Sequence, residues 1–218
     1  FIEFGVFLGD IVWEPSIKAW NNVDKDIKEL GIPVYFTVGN HDNIDRELFK
    51  SRYGDTYYHF IVNKDLFIIL DPNIDSWNIS GKQLNYLTYV LNENYEHVDY
   101  IFIFFHQLLW WTPNNIYKNI VFNSIDGRAD SINFWSEIEP LFHSLPNEVI
   151  MMAGDLGAFS WMDALMYDKY DNITFIASGM GACGHPTCLG EDKAGRDNFI
   201  IINIDENKII NYELIAIN

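Results

Sequence analysis

The chain has 218 residues, 49% of them hydrophobic and 16% aromatic, with a net charge of −17 and a pI near 4.5. That composition argues for one well-packed domain spanning residues 1–218 and against disorder. The acidity disfavours binding to nucleic-acid backbone or to anionic membrane surfaces, both of which need a basic face, and no apolar stretch is long enough to span a bilayer.

In chain order, the first feature is an apolar run, Phe7-Leu8, that reaches Gly9-Asp10. Taken alone, Gly-Asp here is a turn, or a helix N-cap ahead of Pro15. Asn21 to Leu30 reads as a helix, with Gly31-Ile32-Pro33 as its stop signal. Pro33-Val34-Tyr35-Phe36-Thr37-Val38 is an apolar, β-rich run leading directly into Gly39-Asn40-His41-Asp42. Gly81 to Asn92 is a second helix, with Leu84, Leu87, Val90 and Leu91 on one face. Ile101 to Phe105 is a strand of the doubly buried kind and ends at His106-Gln107. Ser131 to Leu145 reads as a third helix, interrupted near Pro140. Val149 to Ala153 is another buried strand, ending at Gly154-Asp155. From Ile173 onward the chain is strand-rich: Ile173 to Ala177, Asn198 to Ile204, and Lys208 to Ile217. Asp205-Glu206-Asn207 forms the turn between the last two. The pattern predicts an α/β protein, a βαβ-type half followed by a β-rich half, with sheets packed face to face and helices outside.

Four apolar strands thus each end in a potential metal ligand: Asp10, Asn40, His106 and Asp155. Ligands in open α/β sheets bind off the carboxyl ends of strands. This mixed nitrogen and oxygen set suits Zn, Mn or Fe. Other candidates read more simply. Cys183, His185 and Cys188 make an incomplete zinc set and are better taken as a loop disulfide or two free thiols. A disulfide there would place the chain in an oxidising, extracytoplasmic compartment. His59 reads as a strand side chain, and His97 and His143 as exposed helix ends. Ser178-Gly179-Met180-Gly181 reads as a turn, with the cleft border as the alternative. Trp110 and Trp111 suit core packing, with an aromatic wall of the cleft as the alternative. Arg128 and Lys118 are surface charges by default, with a phosphate contact as the alternative.

The ordered set resembles the calcineurin-like metallophosphoesterase superfamily, which includes purple acid phosphatases and cyclic-nucleotide phosphodiesterases. The resemblance runs from about Phe4 to about Gly181. It rests on Gly9-Asp10, on Gly39-Asn40-His41-Asp42 and on the strand-end His106. Phe60-Ile61-Val62 and Leu66 to Asp71 are similar to the family's strand pair ending in Asp, and Ser80 to Leu84 to the start of its next helix. The resemblance implies a four-layer α/β-β/α sandwich of two packed mixed sheets flanked by helices. It implies divalent metal ions at one or two sites and a small-molecule or surface-attached phosphoester substrate, mono- or diester. Asp10 would be a bridging carboxylate, with Asn40, His106 and Asp155 completing one metal's ligands. His41 would protonate the leaving oxygen, with Asp42 orienting its ring.

Two departures stand out. The family opens with Asp-x-His on an earlier strand; this chain begins at Phe1 and contains no Asp-x-His, so a missing N-terminal strand is expected. Gly154-Asp155-Leu156-Gly157 stands where the family has Gly-His-x-His. The alternative reading is therefore a catalytically impaired binding or interaction domain with at most one metal.

Overall fold

The computed structural model describes residues 2–157, 165–179, 198–205 and 207–216. The Cys183, His185 and Cys188 loop lies outside the described residues, as do Met180 and Gly181. The chain opens with a βαβ unit. Strand β1 (Gly5–Phe7) pairs in parallel with β2 (Val34–Phe36), and helix α1 (Ile17–Leu30) forms the crossover. The helix starts four residues before the expected Asn21 because Ser16 caps it, its side chain accepting from the Ala19 amide. Gly31 ends it in the left-handed conformation at φ 68°.

The central sheet has six strands. Hairpin β3 (Tyr58–Val62) and β4 (Asp65–Ile69) lead through α3 (Gly81–Asn94) to β5 (Tyr100–Phe105). Helix α4 (Glu139–His143) precedes β6 (Glu148–Ala153), and a second hairpin, β7 (Leu165–Tyr170) and β8 (Ile173–Ser178), completes the sheet. The spatial order is β3-β4-β5-β6-β8-β7, with the inner four strands parallel and both edges antiparallel. The long helix expected over Ser131 to Leu145 is a π-turn, Phe134–Ile138, followed by α4. Pro140 lacks an N–H and would break a continuous ladder; in the first turn of a fresh helix that loss costs little.

Inner strands are buried on both faces. Leu66, Ile68, Ile101, Ile103, Val149 and Met151 pack with Leu87, Val90 and Leu91 of α3 and with Phe142 of α4. Phe67, Ile69, Phe102, Phe104, Ile150 and Met152 face the other way, onto Phe4, Val6, Ile200, Ile202 and Tyr212. Alternation along each strand thus sends equal apolar runs into two cores. Behind β2, a third cluster joins Phe36 and Val38 to Trp20 of α1 and to Phe49 of α2 (Arg46–Tyr53). The result is the expected four-layer α/β-β/α arrangement. Its second sheet comes, among the described residues, as two pairs: parallel β1–β2, and antiparallel β9 (Asn198–Ile204) with β10 (Ile210–Ala216). No helix among the described residues is long and apolar enough to cross a membrane.

Candidate metal centre

The parallel strands point their carboxyl ends to one edge, and the polar residues that follow β1, β2, β5 and β6 meet there. Three glycines make the meeting possible. A Cβ on Gly9 (φ 90°) would lie 2.6 Å from His106 Nδ1; one on Gly39 would lie 2.1 Å from Asp10 N; one on Gly154 would lie 2.4 Å from the Leu8 carbonyl. Any side chain at these positions would push the strand ends apart.

His106 is the centre of the cluster and is only 2% exposed. Its Nδ1–H donates to the Leu8 carbonyl at 2.7 Å, and since a carbonyl only accepts, this bond fixes the tautomer. Nε2 then faces three oxygens: Asn40 Oδ1 at 3.2 Å, Asp10 Oδ2 at 3.3 Å and Asp155 Oδ1 at 3.9 Å. Burial alone would push the His106 pKa down. The Asp10 hydrogen bond and charge, with the Asp155 charge, outweigh it and raise it to about 9. Burial pushes the Asp10 carboxyl up, but the same contact with His106 holds it below the ordinary value. Asp155 goes the other way: burial, supported by the charge of Asp10 and opposed by that of His106, raises it to about 7.

In this arrangement a proton on His106 Nε2 neutralises a ring of oxygens, the task a bound cation would take over. The residues fit such a cation. Both carboxylate oxygens of Asp155 are buried without a hydrogen-bond partner, the Ser124 amide lending opposing polarity without completing a bond. A buried carboxylate left so is costly unless a positive charge meets it. Asp10, His106 and Asp155 offer ligand atoms within 4.8 Å of one another. The Asn40 oxygen adds a fourth donor, and the Leu8 carbonyl orients the His106 ring from behind.

His41 and Asp42 part company. Asp42, expected to orient the His41 ring, is fully buried and binds backbone instead. Its Oδ1 accepts from the Ile11 and Val12 amides at 3.0 and 3.1 Å, and its Oδ2 from Gly39 at 3.0 Å. Three amides left over by two tight turns outcompete one imidazole for the carboxylate. The His41 ring donates its Nδ1–H to the Trp13 carbonyl at 2.9 Å and lies against the Trp13 indole, centroids 4.3 Å apart. Its amide donates to Asp10 Oδ1 at 3.0 Å, which ties the block to the cluster. Trp13, three residues past Asp10, is the contact of His41 that sequence reasoning missed.

The remaining candidates stay apart from the cluster. Trp110 is fully buried in the core against Phe105 and Phe175. Trp111 and Trp77 carry the Arg128 guanidinium at 5.3 and 5.8 Å, and that guanidinium also donates to the carbonyls of Ala129 and Trp111. Lys118 and His97 are exposed. His59 meets the Tyr86 hydroxyl, and His143 bridges Glu139 and Asp171. Gly157 donates its amide to the Val121 carbonyl and carries no donor side chain toward the cluster.

A family model described as calcineurin-like phosphoesterase matches residues 3–179. The chain belongs to that family. No curated protein matches it significantly. Among solved structures, a purple acid phosphatase isolated from yellow lupin (Lupinus luteus) seeds is similar, with 13% sequence identity and a TM-score of 0.53. The match covers 81% of this chain and 36% of that one, so the chain spans about a third of the lupin protein. At that identity the likeness speaks to the fold: a calcineurin-like phosphoesterase sheet sandwich. The family implies use of divalent metal, and the Asp10, His106 and Asp155 group is where the described residues offer to hold it.

Proposed function

We propose that this calcineurin-like phosphoesterase hydrolyses a phosphoester, mono- or diester, with the aid of a divalent cation. The observation that carries the reading is the convergence of Asn40, Asp10 and Asp155 oxygens on His106 Nε2, with His41 one residue beyond Asn40. Asp10, Asn40, His106 and Asp155 would hold Zn, Mn or Fe. Such an ion supplies charge neutralisation at the phosphoryl oxygens and a water activated near neutral pH. The chain's own residues do the rest. Asp10 ties the cluster to the His41 amide and so helps fix where the His41 backbone sits. The Trp13 carbonyl holds the proton on His41 Nδ1 and leaves Nε2 as the atom that delivers or takes a proton at the leaving oxygen. Asp42 fixes the turn beneath by its three amide bonds. The substrate is a small molecule or a surface-attached group, in keeping with an open strand-end site.

The test is turnover of para-nitrophenyl phosphate and bis(para-nitrophenyl) phosphate with Mn(II) or Zn(II), against an Asn40→Ala, His41→Ala double variant. Metal-dependent turnover confined to the parent chain is expected, and its absence sinks the proposal. One observation favours a second reading, a binding domain without catalysis: Gly157 offers no ligand where the family has its second His. Elemental analysis separates the two. Two tightly held ions per chain argue for the enzyme, and one or none without turnover argues for the binding domain.

A further inference from the structure

Trp13 is 77% exposed, whereas Trp20, Trp77 and Trp110 are each no more than 2% exposed. The Trp13 indole lies against the His41 ring, at 4.3 Å and an interplanar tilt of 31°. The same residue's carbonyl binds His41 Nδ1, so ring and backbone fix one another. Ile44, whose amide bonds the His41 carbonyl at 3.1 Å, is 70% exposed. Two exposed apolar residues, Trp13 and Ile44, are thus bonded to His41 through their backbone, with exposed Glu14 and Asp45 next to them in the chain.

We propose that the exposed indole of Trp13 is a platform for the organic leaving group, selecting phosphate esters of neutral, planar aromatic alcohols. The proposal rests on the phosphoesterase reading above. A general acid must come within hydrogen-bond reach of the oxygen it protonates. Whatever carbon skeleton that oxygen carries then lies within a ring's breadth of the indole. A flat aromatic group can stack there in the offset manner that aromatic pairs favour, and a short alkyl group gains less. The net charge of −17 disfavours leaving groups that bring more negative charge.

The experiment reads binding without turnover, because a phosphonate keeps its carbon–phosphorus bond. Phenylphosphonate and methylphosphonate are titrated calorimetrically, with Mn(II) present, into the parent chain, Trp13→Ala and Trp13→Phe. Since the Trp13 side chain is 77% exposed, all three are expected to unfold at nearly the same temperature. The parent should hold phenylphosphonate roughly fivefold more tightly than methylphosphonate, one aromatic contact's worth. Trp13→Ala should bring the ratio near one, and Trp13→Phe should restore most of it. A ratio unchanged in Trp13→Ala, or no preference or binding in the parent, overturns the platform. If the ratios behave as expected while no ester is turned over, Trp13 is an aromatic binding platform in a domain that does not cleave, and both the hydrolase reading and the leaving-group role fall.

Discussion

Asp10 and Asp155 share one uncommon backbone conformation, φ 53° and 50°, each directly after a glycine at the end of a parallel strand. Asp and Asn tolerate the left-handed region because their short polar side chains can bond locally; bulkier residues are strained there. The two Gly-Asp blocks are thus the same device used twice. Each follows a strand end and brings a carboxylate oxygen toward His106 Nε2, at 3.3 Å for Asp10 and 3.9 Å for Asp155.

From this, Asp155→Asn should fold, since Asn accepts the same backbone and removes a buried carboxylate that accepts no hydrogen bond. It should nevertheless lose the metal-induced rise in melting temperature. In the parent, Zn(II) or Mn(II) at a hundredfold over its Kd should stabilise by about 2.7 kcal/mol. Asp155→Val keeps neither donor nor tolerance and should cost roughly 1–3 kcal/mol even without metal. Thermal unfolding with and without added ion checks both; an undiminished metal shift in Asp155→Asn would remove Asp155 from the ligand set.

Asp42→Ala tests the reassignment of that residue to structure. The change strands the buried amides of Gly39, Ile11 and Val12. At about 1–3 kcal/mol for each unsatisfied group, a loss of roughly 3 kcal/mol or more is expected in urea unfolding. A loss under about 1 kcal/mol would mean that water replaces the carboxylate freely and that Asp42 is available for other work.

The convergence of the strand-end residues was legible because a doubly buried strand that stops at a polar residue breaks its own pattern, and four such breaks need one explanation. The task of Asp42 was not legible. Two of its partners lie 30 and 31 residues away, and nothing in Asn-His-Asp says which amide a carboxylate will reach. Helix α2 was not legible because Phe49 is its one fully buried residue, too little to show a period. Strand β7, Leu-Met-Tyr-Asp-Lys-Tyr, is an edge with only partial burial and so lacks the apolar run that marks its neighbour β8. Ser16 caps α1, but by residue type Asn21 and Asn22 are equally good caps.

Arg46, at the start of α2, forms an ion pair with Asp71, just past β4, whose side chain is fully buried. The Asp71 carboxylate also accepts from the Asn73 amide, and Arg46 donates to Thr56. The pair fastens the helix behind the site to the central sheet. Removing the cation alone strands a buried charge, so Arg46→Met should cost about 3 kcal/mol. Adding Asp71→Asn should recover part of that loss, although Asp71→Asn alone should also destabilise. A double-mutant cycle by urea unfolding measures the coupling, and additivity of the two changes would show the pair to be energetically idle.

Asp65, at the start of β4, gives the pH dependence a definite sign. Burial first, then the charges of Asp99 and Glu3, raise its pKa to about 6, against the opposing Tyr100 amide and Lys208. The folded chain therefore holds this proton more tightly than the unfolded chain, whose carboxyl titrates near 3.8. Below that value both states are protonated and the contribution to stability is complete. It is lost as pH rises from about 4 to about 6, and is then constant. Asp65→Asn should match the parent at pH 4 or below and melt higher at pH 7. Because Asp65 is half exposed, added salt should shrink the gap. Melting temperatures of both chains across that range check the sign, and a gap that does not change with pH would show that Asp65 titrates normally in the fold.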